Sequence, residues 1–151
     1  MPKTFNVIWV HVVFSTKERK PFLKWEIRNQ ACEVIKEHAK KKGIGVDTVN
    51  GIEDHLHVLI RLKPTEKVSE VVQWVKGFSS RWLNNEYNWE PKFSWQEGYG
   101  VFSVSQNDIH QVRNYIYNQE AHHSNKTYAK EIKDLTKWGR NEDLKDFAGL
   151  L

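Results

Sequence analysis

The stretch DHLHVLI, residues 54–60, decides how this chain folds and where its chemistry can lie. Residues two apart on a strand face the same side of the sheet, so His55 and His57 project together. The residues that alternate with them, Leu56, Val58 and Ile60, project to the other side, where we expect helices to cover them. Two imidazoles one pleat apart can converge on a single metal ion. The simpler alternative is a pair of surface histidines.

The segments around this strand alternate between strand and helix patterns. We predict strands over 5–16, 45–52, 55–62 and 93–105, and helices over 24–42, 66–85, 107–122 and 128–137. Without the helices that follow the last strand, this order is the split βαβ pattern of ferredoxin-like folds. We therefore predict an α+β fold with an RRM-like antiparallel sheet, helices on one face, and the other face free for a site or partner. Residues 1–151 are predicted to form a single domain, with a tail at 138–151 to which we assign no role.

Composition limits the possible partners and the compartment. The formal net charge is +4, which permits a polyanionic partner without proving one. Most of the seven tryptophans are expected to pack in the core, and the rest could stack unpaired bases. The single cysteine, Cys32, cannot form an internal disulfide, and we see neither a signal peptide nor an apolar stretch long enough for a membrane span. These features predict a cytoplasmic protein without membrane contact.

A second signal lies on the helix predicted over 107–122. Tyr115 and Gln119 are four residues apart and would share a helix face, whereas Tyr117 points elsewhere. A phenol and a carboxamide on one face offer a nucleophile and a neutral oxygen ligand. A half-buried tyrosine beside a solvated glutamine is the structural alternative.

Together, the two signals resemble one family. A His-hydrophobic-His strand followed by a Tyr-x-x-x-Gln helix is similar to the IS200/IS605-type single-tyrosine HUH transposases. Three further segments resemble it: the Thr-Lys-x-Arg pattern at 16–19, the approach to the histidines at 51–60, and the stretch WQEGYGVFSVS at 95–105. The resemblance runs from about residue 5 to residue 123.

The resemblance implies a role for each matching residue. His55 and His57 would bind a divalent metal, Gln119 would be its third ligand, and Tyr115 would attack single-stranded DNA. The implied product is a 5′-phosphotyrosine with a free 3′-OH, formed at hairpin-marked element ends. The resemblance also implies a homodimer, in which the tyrosine helix of one subunit can complete the metal site of the other.

The implied metal is Mg²⁺ or Mn²⁺. Two imidazole nitrogens and one amide oxygen make a neutral site, so the ion keeps its full charge for the phosphate. Magnesium prefers oxygen ligands, while manganese accepts imidazole readily. No nucleotide cofactor is expected, because the chain has no phosphate-cradling glycine loop of the Walker type. The sequence does not identify the group that removes the proton from Tyr115.

Other side chains are weaker candidates, and each has a structural alternative. Asp54 could orient a histidine through its second ring nitrogen, or it could simply form the turn. Five further residues are candidates for DNA contact. For the four basic ones the alternative is a solvated surface, and for His11 on the first strand it is ordinary packing. The candidates for DNA contact are His11, Lys17, Arg19, Lys76 and Arg81.

Two other functions remain open at this point. One is an HUH nickase of replication or conjugation initiation, which uses the same chemistry; the short chain without a helicase or other added domain favours the transposase. The other is a non-catalytic binder of single-stranded nucleic acid on a ferredoxin-like sheet, with tryptophans that stack bases. That class needs neither the histidine pair nor a positioned tyrosine.

Overall fold

The computed structural model describes residues 3–123 and 127–135. In these residues there are four strands: β1 (Ile8–Ser15), β2 (Gly45–Gly51), β3 (His55–Leu62) and β4 (Gly100–Val104). The helices are α1 (Trp25–Lys42), α2 (Val68–Glu86), α3 (Ile109–Tyr117), α4 (Gln119–His123) and α5 (Tyr128–Leu135). Most predicted elements are present, and most of their ends shift by a few residues. The described helices include none that is both long enough and apolar enough to span a membrane.

The strands form one antiparallel sheet in the order β2-β3-β1-β4. The central pair, β1 and β3, is in a register that sets Val12 opposite Val58 and Val13 opposite His57. The order is that of the split βαβ pattern, so the predicted α+β, ferredoxin-like fold is confirmed. The register matters for the site, because it places β1 side chains directly beside the histidines of β3.

The larger core lies between one face of the sheet and the helices α1 and α2. From β3, Leu56, Val58 and Ile60 point into it and are at most 1% exposed. Helix α1 contributes residues spaced four apart, Ala31, Ile35 and Ala39, which form one buried stripe. The period-two alternation on β3 is therefore confirmed, and it commits His55 and His57 to the opposite face.

That opposite face is not free, so this part of the prediction is wrong. Helix α3 packs Ile109 and Ile116 against Trp9 of β1 and Leu59 of β3. Helix α5 adds a smaller cluster, in which Ile132 packs against Val13. The chain beyond β4 carries its own apolar residues and buries them on the sheet, which also buries both histidines.

The strand predicted over 93–105 is confined to Gly100–Val104. Before it, residues 93–99 form a loop with one isolated bridge, between Thr16 and Trp95. Gly98 has a φ of +84°, a left-handed conformation that interrupts an extended strand.

The helix predicted over 107–122 is broken at Asn118. Helix α3 ends at Tyr117, and α4 begins at Gln119. Asn50 of β2 donates its side-chain amide to the carbonyl oxygens of Ile116 and Tyr117, both at 3.2 Å. A side chain of the sheet thus satisfies carbonyls that would otherwise lack partners at a helix end. The predicted helix over 128–137 is α5, while residues 136–137 and the tail at 138–151 lie outside the described residues.

Candidate active site

The two histidines of β3 lie at the centre of a buried polar cluster. His55 and His57 are both 0% exposed, and their ring centroids are 5.1 Å apart. As predicted from the strand alternation, they project from the same face. They are not surface histidines, because the α3–α5 segment covers that face.

The carboxylate of Glu131, on α5, faces both histidines. Its Oε2 lies 3.2 Å from the Nε2 of His55, and its Oε1 lies 2.8 Å from the Nε2 of His57. Glu131 is 1% exposed. Ligand atoms of these three residues all lie within 4.8 Å of one another, a spacing that could hold a metal ion. Glu131 is not among the site residues predicted from the sequence, since no local spacing links it to the histidines.

Tyr115 reaches the same carboxylate from α3. Its hydroxyl donates a hydrogen bond to Oε1 of Glu131, and its ring centroid lies 5.7 Å from that of His57. Burial raises the pKa of Tyr115 above its ordinary value, and the hydrogen bond to Glu131 raises it further. The raised pKa keeps the phenol protonated. Tyr115 and the two histidines that it approaches belong to the same chain. Tyr117 points away and is 59% exposed, as expected.

Gln119 completes the inner cluster. It is fully buried, and its Nε2 donates to Oε1 of Glu131 at 3.1 Å and to the carbonyl of Tyr115 at 3.4 Å. Its Oε1 is buried without a hydrogen-bond partner in the described part of the chain. The helix junction at Asn118 separates Tyr115 from Gln119, yet the two residues remain side by side.

Asp54 and His11 hold the outer nitrogens of the histidine rings. Asp54 Oδ1 lies 2.8 Å from the Nδ1 of His55, and the Nε2 of His11 lies 2.8 Å from the Nδ1 of His57. Burial acts to lower the pKa of His55, but hydrogen bonds with Asp54 and Glu131 outweigh it and leave the pKa raised. Burial lowers the pKa of His11 to about 3, so this ring is neutral. His11 is 3% exposed and touches His57, a placement that fits orientation of the histidine rather than direct DNA contact.

The donor set fits a divalent cation. Two imidazole nitrogens, a carboxylate and an amide oxygen without a hydrogen-bond partner lie in one buried space. Mn²⁺ accepts such mixed nitrogen and oxygen ligands, and the oxygens suit Mg²⁺. The carboxylate of Asp54 is an outer partner of the kind that fixes the orientation of a metal-binding imidazole, and His11 contacts the outer nitrogen of His57.

Comparison with known proteins identifies the family. Residues 4–119 match the family model described as "Transposase IS200 like". The chain belongs to the IS200-like transposase family. Glu131 and α5 lie beyond the matched residues.

Relatives of this family member include the ISDra2 transposase TnpA of Deinococcus radiodurans, which is 26% identical over 115 residues, covering 72% of this chain and 81% of that protein. The transposase for insertion sequence element IS200 of Salmonella typhimurium is 27% identical over 115 residues, covering 72% of this chain and 74% of that protein.

Two solved structures share the fold of this transposase-family chain. A crystal structure described as a candidate transposase from Deinococcus radiodurans superposes with a TM-score of 0.63 at 23% identity, over 79% of this chain and 98% of that one. A REP-associated tyrosine transposase bound to a REP hairpin superposes with a TM-score of 0.57 at 14% identity, over 82% and 74%.

The four basic candidates of this family member divide between two places. Lys17 and Arg19 are exposed in the turn after β1. They lie close to the histidine end of β3, because the backbone N–H of the preceding Thr16 donates to the carbonyl of Asp54 at 2.8 Å. Lys76 and Arg81 lie on α2, across the sheet from the histidines. Lys76 donates to the carbonyls of residues 96 and 98 at 2.8 and 2.9 Å, and partial burial lowers its pKa. Lys76 therefore stabilises the loop before β4 and does not lie at the histidine cluster.

Proposed function

We propose that this chain is a metal-dependent transposase that cuts single-stranded DNA with Tyr115 and rejoins it. The observation that carries this proposal is that the hydroxyl of Tyr115 and the Nε2 atoms of His55 and His57 converge on a single buried carboxylate, that of Glu131. A nucleophile and a metal-binding pair must meet at one phosphate for this chemistry. Membership of the IS200-like transposase family supports the same function.

The reaction is a transfer of a phosphoryl group to the tyrosine. The oxygen of Tyr115 forms a bond to the phosphorus, the bond from phosphorus to the 3′ oxygen breaks, and the leaving 3′ oxygen takes up a proton. The tyrosine proton has an acceptor already in place, because the hydroxyl donates to Glu131. The product is a 5′-phosphotyrosine with a free 3′-OH. This link conserves the energy of the broken bond, so rejoining needs no ATP.

His55, His57 and Gln119 are the proposed metal ligands. The bound ion would supply charge neutralisation at the non-bridging oxygens of the scissile phosphate. The chain's own contribution is orientation: Asp54 and His11 hold the outer ring nitrogens, so that both Nε2 atoms face the cluster. Either Mg²⁺ or Mn²⁺ is expected to support cleavage.

The proposed substrate is single-stranded DNA with a hairpin near each element end. One structural neighbour, the REP-associated tyrosine transposase, is bound to a hairpin. The net charge of +4 and the exposed Lys17 and Arg19 beside the histidine end of the sheet suit a phosphate backbone. Assembly as a homodimer also remains a prediction.

Covalent capture tests this proposal. Labelled single-stranded DNA from the flanks of the gene is incubated with the protein and Mn²⁺ or Mg²⁺, and adducts are resolved under denaturing conditions. We expect an adduct with the wild-type protein, and none with EDTA or with His57→Ala. The matched control is His110→Ala, which removes an exposed histidine of α3 and should leave the adduct intact. An undiminished adduct with His57→Ala would overturn the proposal, and binding without any adduct would favour the non-catalytic alternative.

A further inference from the structure

We propose that Glu131 is itself a metal ligand, contributed by α5 of the same chain. This inference rests on the metal site proposed above and extends it from three side chains to four. No member of the set implied by the family resemblance lies beyond Gln119. Glu131 would therefore be an addition to that set.

The position of Glu131 is fixed by the way α5 is attached. Thr127 caps the start of the helix: its carbonyl accepts the backbone N–H of Glu131 at 3.0 Å, and its Oγ1 accepts that of Lys130 at 3.2 Å. The next residue, Ile132, is 2% exposed and packs on Val13 of β1. Because Val13 is paired with His57 across the sheet, this packing sets Glu131 against the histidines.

The carboxylate is placed as a ligand would be. Each of its oxygens lies near a different imidazole, at 3.2 Å from the Nε2 of His55 and 2.8 Å from the Nε2 of His57. The three ligand atoms lie within 4.8 Å of one another, so one ion can touch all of them after small side-chain adjustments. The buried Oε1 of Gln119 has no hydrogen-bond partner among the described residues and is a fourth donor, on a side chain whose Nε2 lies 3.1 Å from Oε1 of Glu131.

Burial of the charge gives a physical reason for a cation at this point. A carboxylate that is 1% exposed is costly unless a cation or a metal compensates it. The groups that contact Glu131 include two imidazoles, a phenol and an amide. A divalent ion among these donors would compensate the carboxylate more fully than hydrogen bonds from these side chains.

A carboxylate would also change which ion the site prefers. Two imidazoles and an amide make a neutral site, whereas Glu131 adds a negative charge and a hard oxygen donor that favours Mg²⁺ and Mn²⁺. An ion held by these four side chains would keep further positions open for phosphate oxygens. The fourth ligand is therefore compatible with the proposed reaction.

Mn²⁺ binding to the full-length protein, measured by calorimetry and by electron paramagnetic resonance, tests this inference without DNA. We expect Glu131→Gln to raise the Kd for Mn²⁺ by at least about tenfold. Loss of a side chain that only orients a metal ligand already weakens metal binding by about 10- to 100-fold. Asp134→Asn is the matched control, since it removes an exposed carboxylate from the same helix and should bind Mn²⁺ as the wild type does. His57→Ala serves as the reference for loss of a ligand.

The outcomes separate the two proposals. If His57→Ala weakens binding and Glu131→Gln does not, Glu131 is not a ligand, while the proposed function stands. If His57→Ala binds Mn²⁺ like the wild type, the metal site of the proposed function fails, and this inference fails with it. An equal loss in Asp134→Asn would mean that overall charge, not ligation, is responsible. Should Glu131→Gln not fold, Glu131→Ala takes its place, and wild-type affinity for Mn²⁺ in that variant would overturn the inference.

Discussion

Each histidine of the cluster is held at both ring nitrogens. His55 lies between Asp54 and Glu131, and His57 lies between His11 and Glu131. A ring held in this way cannot rotate without losing a buried contact, so both Nε2 atoms are oriented before any ion or DNA arrives. The cluster is thus preorganised at the level of single side chains.

Asp54 provides a residue-scale prediction. Asp54→Asn should weaken Mn²⁺ binding by about 10- to 100-fold, because an amide is a poorer partner for the Nδ1–H of His55 than a carboxylate. Titration calorimetry measures the change. Glu53→Gln is the control, since it alters the neighbouring, exposed carboxylate and should bind normally. Equal affinities for Asp54→Asn and the wild type would show that Asp54 is only a turn residue.

Two side chains of β2 hold the tyrosine helix against the sheet. Asp47 accepts two hydrogen bonds from Arg113 of α3, at 2.7 and 2.8 Å, while Asn50 satisfies the carbonyls at the end of the same helix. The hydrogen bond to Arg113 lowers the pKa of Asp47, although partial burial opposes it. Tyr115 is therefore positioned by an edge strand as well as by its own packing.

The ion pair makes a pH-dependent contribution to stability. Because the folded-state pKa of Asp47 is lowered, its contribution is present above the ordinary value of 3.8 and is lost as the pH falls through the lowered pKa. Asp47→Asn should thus cost about 0.5–1 kcal/mol of unfolding free energy at pH 7, as expected for a partly exposed pair. Urea denaturation at a series of pH values measures this difference.

The difference should be constant from about pH 7 to 5 and shrink only in more acidic solution. The double variant with Arg113→Gln should lose little more than either single variant. Additive losses from the two single changes would contradict the pairing.

The elements differ in how well the sequence predicts them, for physical reasons. The register of β3 is predictable because a slip of one residue would turn His55 and His57 into the apolar core and Leu56 and Val58 out of it. The break at Asn118 is not predictable locally, since it depends on Asn50 reaching across from β2. The late start of β4 follows from the left-handed Gly98, one of the two glycines at which the sequence predicts an interruption of the strand over 93–105.

At the scale of the whole molecule, the cluster is assembled from distant parts of one chain. Tyr115 contacts the carboxylate that faces His55 and His57 of the same chain. The strand and helix signals could be found in the sequence because each is local. Glu131 could not, because only the packing of α5 on β1 brings it to the histidines.

The arrangement within one chain predicts how mixtures of inactive variants behave. Tyr115→Phe lacks the nucleophile and His57→Ala lacks a metal ligand, so neither should form an adduct alone. If each site is built from one chain, a mixture of the two variants, co-expressed so that any dimers exchange, should also form none. Recovery of a substantial part of wild-type adduct formation would show that the tyrosine acts on the partner's metal site instead.

The central claim is that Tyr115 becomes covalently linked to DNA. Trypsin cleaves after Arg113 and Lys126, so Tyr115 and Tyr117 fall on one peptide and must be distinguished by fragmentation. Mass spectrometry of the adduct formed with Mn²⁺ should place the 5′-phosphonucleotide on Tyr115, and Tyr117→Phe should give the same adduct. A nucleotide on Tyr117, or an adduct that persists in Tyr115→Phe, would contradict the account.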